Sequence, residues 1–151
     1  MQRQPPFLIG KDVQMLVVCG FPGCGKTTLA SSLADRGWFH VSQDLLGNRR
    51  ACERAARAEV LAGRRVVVDR CNQDAVQRSH WARIAPASTV VVWLDAAVDV
   101  CVERVLSRPS HPTLPPIPSS VGIVKRFATE FVPPTKSESR VRDVLRIRDP
   151  F

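Results

Sequence analysis

The residues Gly20-Phe21-Pro22-Gly23-Cys24-Gly25-Lys26-Thr27-Thr28 carry the most explicit chemistry in the chain. The first eight satisfy G-x-x-x-x-G-K-[ST] in full. Glycines at this spacing let the backbone curl so that its N–H groups point inward at a phosphate. A helix N-terminus directly after the loop adds partial positive charge. Lys26 is then placed to reach the β- and γ-phosphates, and the Thr27 hydroxyl to hold Mg²⁺. Cys24 lies inside the cradle at a helix N-terminus, where a thiolate is favoured. A small inert filler is the alternative reading of the same residue.

A phosphate cradle needs partners. Asp69 closes the run "VVVD" and can hold a water on Mg²⁺ from a neighbouring strand end; capping the following turn is its plainer alternative. Asp44, in "HVSQDLLG", follows another apolar run by a few residues. A carboxylate there can take the proton of an attacking hydroxyl and orient it toward the γ-phosphate, or it can cap the turn or the next helix. Arg104 and Arg108 in "ERVLSRPSHP" are four residues apart and share a helix face just before a Pro-rich stretch. They are expected to stabilise charge on a migrating phosphoryl group from a lid, or else to form a solvated basic helix end. The absence of N-K-x-D argues against a guanine-reading switch.

These residues need a scaffold that gathers them. Apolar runs alternate with helical patterns: strands are expected at "MLVVCGF", "WFHVS", "RRVVVDR", "STVVVWLD" and "VRDVLRI". Helices are expected at "KTTLASSLAD", "NRRACERAARAEVLAG", "AVQRSHWARIA", "AAVDVCVERVLSR" and "SSVGIVKRFATEF". "PSHPTLPPIP" cannot hold a helix or a central strand. Consecutive β-branched residues in the strands imply burial on both faces. The pattern predicts an α/β fold, a parallel sheet of about five strands with helices on both faces. In such a sheet the strand carboxyl ends share one crevice, so Asp44, Asp69 and the cradle face the same cleft. The chain, 1–151, reads as one domain without an internal repeat or linker.

Composition narrows the partners. The net charge is +8, with 22 Lys and Arg against 14 Asp and Glu. Segment 49–70 concentrates it: Arg49, Arg50, Arg54, Arg57, Arg64, Arg65 and Arg70 against Glu53, Glu59 and Asp69. Arginine forks suit phosphate oxygens, and a basic face attracts polyanions. No apolar run reaches bilayer length, and no signal-peptide pattern opens the sequence, so no membrane partner is expected. Cys19, Cys24, Cys52, Cys71 and Cys101 form no C-x-x-C pair. That pattern fits reduced thiols in cytoplasm or nucleus rather than a zinc site.

Taken together, the chain resembles the kinase domain of polynucleotide kinase/phosphatase, from about Met15 to Ile147. The resemblance rests on "GFPGCGKTT", "VSQDLLG", "GRRVVVDRCNQDAVQRSHW", the arginines before the Pro-rich stretch, and "FATEFVPPT". It implies transfer of the γ-phosphate of ATP, with Mg²⁺, to a 5′-hydroxyl end of DNA or RNA in end repair. Asp44 would be the general base, Lys26 and Thr27 would hold the donor, and Arg104 and Arg108 would look like the lid arginines. Asn72 would match an asparagine near the acceptor or the transferring phosphate. Where family members often carry Arg before the catalytic acid, this chain has Gln43. It has no D-x-D-x-T phosphatase motif. Two other readings compete: a small-molecule kinase acting on a sugar acid, nucleoside or nucleotide, and a non-catalytic nucleotide-binding adaptor for nucleic acid.

Overall fold

A computed structural model of the chain describes residues 7–107 and 118–149. The element order is β1 (Met15–Cys19), α1 (Lys26–Ala34), β2 (Phe39–Ser42), α2 (Gln43–Leu46), α3 (Arg49–Leu61), β3 (Val66–Asp69), α4 (Ala75–Ala82), β4 (Thr89–Asp95), α5 (Val98–Ser107), α6 (Pro118–Glu130) and β5 (Val141–Arg148). The expected strands and helices form, and α2 is an addition. Its four residues are too few for a periodic signal. It exists because the Ser42 hydroxyl accepts from Leu45 N at 3.2 Å, closing one turn directly off β2.

The five strands make one parallel sheet in the order β2-β3-β1-β4-β5. β1 is central, and all five of its residues are buried. Side-chain alternation splits the core in two. Leu16 and Val18 join Val67, Val90 and Val92 on one face, under α1 (Leu29, Ala30, Leu33), α5 (Cys101, Val105) and α6 (Val124). Met15 and Val17 join Val41, Val66, Val68 and Val91 on the other, under α3 (Cys52, Ala56) and α4 (Trp81). Each fully buried Val contributes on the order of 1.5–3 kcal/mol, so this stack fixes the strand ends that carry the site. Edge strand β5 has no fully buried residue: its residues are half-buried or exposed. It is tied to β4 by Arg146, which donates to Asp95 at 2.6 and 2.8 Å and lies 4.4 Å over the Trp93 ring. No helix among the described residues is long and apolar enough to cross a membrane.

Helix ends follow local chemistry. Asn48 Oδ1 accepts from Ala51 N at the start of α3, and Asp74 Oδ1 accepts from Gln77 N at the start of α4. Ser42, Asn48 and Asp74, rather than Asp44 or Asp69, thus cap the starts of α2, α3 and α4. The Pro-rich stretch and Arg108 lie outside the described residues.

Candidate active site

The loop between β1 and α1 is shaped by backbone that only glycine fits comfortably. Gly20 has φ +152°, and a Cβ there would sit 2.5 Å from Cys24 Sγ and 2.8 Å from the Leu94 carbonyl oxygen. Gly23 has φ +86°, and its Cβ would lie 2.7 Å from the carbonyl oxygen of Cys101 on α5. Neither position has room for a side chain. Gly25, at φ +100°, turns the chain into α1.

The loop opens onto a cleft of about 630 Å³ at the carboxyl edge of the sheet. Pro22, Gly23, Gly25, Lys26, Thr27 and Thr28 line it, together with Asp44, Asp69, Asn72 and Arg104. The cradle, both acids and one of the two expected arginines are thus gathered in one cavity. Gly20, Phe21 and Cys24 complete the loop without lining the cleft: the Phe21 ring packs edge-on against Phe131 at a centroid distance of 5.4 Å.

Lys26 is buried, and its Nζ donates to the carbonyl oxygens of Gly20 at 3.1 Å and Phe21 at 2.9 Å. Burial alone would lower its pKa, but the Cys24 and Cys71 sulfurs and the Asp69 carboxylate raise it above the usual lysine range. It is an ammonium at any physiological pH. Cys24 is fully buried, and burial pushes its thiol above the ordinary value. Desolvation acts against the thiolate that a helix N-terminus favours, and the nearby Lys26 ammonium acts for it. The full burial of Cys24 fits a small filler. Cys71, by contrast, is half-buried and lines the cleft.

Asp69 ends β3, beside Val18 of β1 and Ser42 of β2. Its Oδ2 accepts from the Thr27 hydroxyl and from His40 Nε2, both at 2.9 Å. A carboxylate acceptor requires that Nε2 carry the imidazole proton. Thr27 and Asp69 thus sit together as an oxygen pair of the kind Mg²⁺ binds, a cation that takes one or two protein oxygens and fills its shell with water and phosphate. With the crowded glycines and the buried ammonium, the residues fit a Mg–nucleoside triphosphate. His40 gave no signal in the sequence, because its role arises only when β2 lies alongside β3.

Asp44 sits in the first turn of α2, exposed, and lines the cleft with Gln43. Arg104 lies in the last turn of α5, the helix that abuts Gly23. Asn72, expected near the acceptor or the transferring phosphate, lines the cleft. It is 4% exposed, and its amide is committed to the chain. Nδ2 donates to the carbonyl oxygens of Val18 at 2.8 Å and Arg70 at 3.1 Å, while Oδ1 accepts from Trp81 Nε1 at 2.9 Å. With φ +47°, it holds the turn after β3 in shape and positions the wall of the cleft. That wall also carries Arg70 and Gln77, and α6 supplies an apolar flank of Ile123 and Phe127. Nothing in the sequence pattern gives these four a place in the site, because each enters the cleft only through tertiary packing.

The segment "FVPPT" buttresses the same wall. Val132 N donates to the Gln73 carbonyl oxygen at 2.7 Å. Thr135 N donates to Glu138 Oε2 at 2.7 Å, and Glu138 Oε1 accepts from Arg78 Nε at 2.8 Å. Arg78, 1% exposed, also donates from Nη1 to the Asn72 carbonyl oxygen at 2.8 Å.

Comparison with known proteins agrees with this architecture. No family model matches the chain. It is 31% identical over 111 residues to transcription factor bHLH140 of Arabidopsis thaliana, covering 67% of this chain. It is 36% identical over 73 residues to the bifunctional polynucleotide phosphatase/kinase of Schizosaccharomyces pombe, covering 48% of this chain. The chain spans only 12% and 18% of those two proteins, respectively. Among solved structures, a gluconokinase from Sinorhizobium meliloti superposes with TM-score 0.67 at 18% identity, over 92% of this chain and 84% of that one. A fungal RNA kinase superposes with TM-score 0.64 at 16% identity, over 88% and 72%. The fold is that of the P-loop kinases, and the chain shares sequence with a stretch of each of the two curated relatives.

Proposed function

We propose that this P-loop kinase domain transfers the γ-phosphate of ATP to a 5′-hydroxyl end of DNA or RNA, as a step in nucleic-acid end repair. The observation that carries the proposal is the gathering of Lys26, Thr27, Asp69 and Asp44 in one cleft. The bound Mg–ATP supplies the phosphoryl group and neutralises its charge. The chain's residues do the rest. The loop N–H groups and the Lys26 ammonium hold the donor phosphates, Lys26 exchanging its two carbonyl partners for phosphate oxygens. Thr27 and Asp69 hold the metal and its water. Asp44 accepts the proton of the acceptor hydroxyl as its oxygen bonds to the γ-phosphorus, while the bond to the β–γ bridging oxygen breaks and ADP leaves. Arg104 offers its guanidinium to the charge on the moving group, with Arg108 its expected companion.

A nucleic-acid acceptor is supported by the 36% identity to the polynucleotide phosphatase/kinase and by the +8 charge. The decisive experiment offers radiolabelled ATP and Mg²⁺ with 5′-hydroxyl DNA, 5′-hydroxyl RNA, nucleosides and sugar acids in parallel. Preferential labelling of an oligonucleotide is the expected result. Preferential labelling of gluconate or a nucleoside would make the chain a small-molecule kinase, and no transfer to any acceptor would leave a binding adaptor.

A further inference from the structure

We propose that the outer face of α3 is a docking surface for the acceptor strand, holding the phosphodiesters that follow the reacting 5′ end; this rests on the nucleic-acid reading above. Arg50, Arg54 and Arg57 are spaced i, i+4, i+7 and are all exposed, while Cys52 and Ala56 face the core. The three therefore form one stripe on the side of the helix turned away from the sheet. None of them has a hydrogen bond or ion pair with a described residue. The nearby acids are already occupied: Glu53 faces Arg49, His80 and Arg83, and Glu59 faces Arg64. At the first turn, Arg50 gains nothing from the helix dipole. The first turn of α3 has no acidic residue, and cations near a helix N-terminus oppose the dipole. Three exposed guanidinium groups in a row are thus open to an anion from solution.

Position and spacing specify the partner. Only Gly47 and Asn48 separate α3 from α2, which carries Asp44 at the cleft. The stripe starts at the acceptor side of the site and runs away from it. Seven residues of helix span about 10 Å, long enough to meet more than one phosphate of a nucleic-acid strand. Arginine forks match phosphate oxygens irrespective of base, so the surface fits a single-stranded polyanion read through its backbone.

The test compares wild type with R50Q/R54Q/R57Q and with a charge-matched control, K11Q/R36Q/R140Q, whose residues are exposed and lie outside α3. Binding of a 12-nucleotide, 3′-labelled, 5′-hydroxyl single strand is measured by fluorescence anisotropy across a salt series. Labelling of the same strand by ATP is measured alongside. The stripe variant is expected to bind at least about tenfold more weakly at low salt, with its log–log salt slope smaller by about 2, since each phosphate left without its guanidinium takes away about 0.7. The control should stay close to wild type. Equal losses in both variants, or none in the stripe variant, would overturn the proposal. So would loss of binding to phosphatidylserine vesicles with oligonucleotide affinity intact. If wild type binds through the stripe yet does not phosphorylate the strand, the acceptor assignment fails and the surface stands. If both proteins phosphorylate it with the same salt slope, the surface fails and the acceptor assignment stands.

Discussion

Asp44 and Cys71 are the two residues whose chemistry is most open to direct measurement. Asp44→Asn keeps the shape and removes the proposed base. Turnover should fall by about two to four orders of magnitude, a general-base contribution, while ATP affinity by calorimetry changes little, because the proposed donor contacts are Lys26 and Thr27. Turnover close to wild type would remove Asp44 from the mechanism. Alkylation reports on the cradle. Cys19, Cys24, Cys52 and Cys101 are buried, and burial pushes the thiols of Cys19 and Cys101 up to about 12 and about 11. All four side chains are inaccessible to solvent, so iodoacetamide should mark Cys71 in the folded chain, and Mg–ATP should slow that reaction. Mass spectrometry showing Cys24 modified first would contradict the packing of the loop. At this scale the sequence was legible where chemistry is local. The glycine loop, Lys26 and Thr27 lie within one contiguous motif, and Asp69 and Asp44 each follow an apolar run. His40 was not legible, because its bond to Asp69 crosses 29 residues and depends on strand register. Asn72 drew attention for its place after β3, but its hydrogen bonds turn inward.

Arg78 and Glu138 set the energetics of one wall. The pair buries a guanidinium at 1% side-chain exposure against a carboxylate at 11%. Removing the carboxylate leaves the cation unpaired in the interior, so Glu138→Ala should cost about 3–5 kcal/mol, read as a lower urea midpoint. The surviving folded fraction should also show weakened activity, because the same guanidinium holds the Asn72 carbonyl. A change below about 1 kcal/mol would mean that water reaches Arg78. The main elements were legible because β-branched runs and helical periodicity are short-range signals. α2 was not, since one turn capped by a serine carries no period. "FVPPT" was noticed as a motif, but its physical task, packing Phe131 on Phe21 and Val132 on the Gln73 carbonyl, appears only in three dimensions.

Over the whole molecule, charge and topology govern how an acceptor is met. A +8 chain that neutralises several phosphates should show kcat/KM for a 5′-hydroxyl oligonucleotide falling with salt, at a log–log slope of about 0.7 per neutralised phosphate. A nucleoside, with no phosphate, should show a flat profile in the same stopped-time assay, and a flat oligonucleotide profile would argue against a polyanion acceptor. The α/β class and the five strands could be read from alternating elements, but the order β2-β3-β1-β4-β5 could not, because strand neighbours are chosen by tertiary packing. That topology has a consequence for synthesis. The glycine loop and both acids lie within the first half of the chain, yet the wall of their cleft is fastened by a carboxylate 60 residues beyond Arg78. A polypeptide leaving the ribosome N-terminus first exposes Arg78 to water until Glu138 follows. Closure of the wall thus waits for the emergence of Glu138, which couples the onset of chemistry to a late stage of this domain's translation.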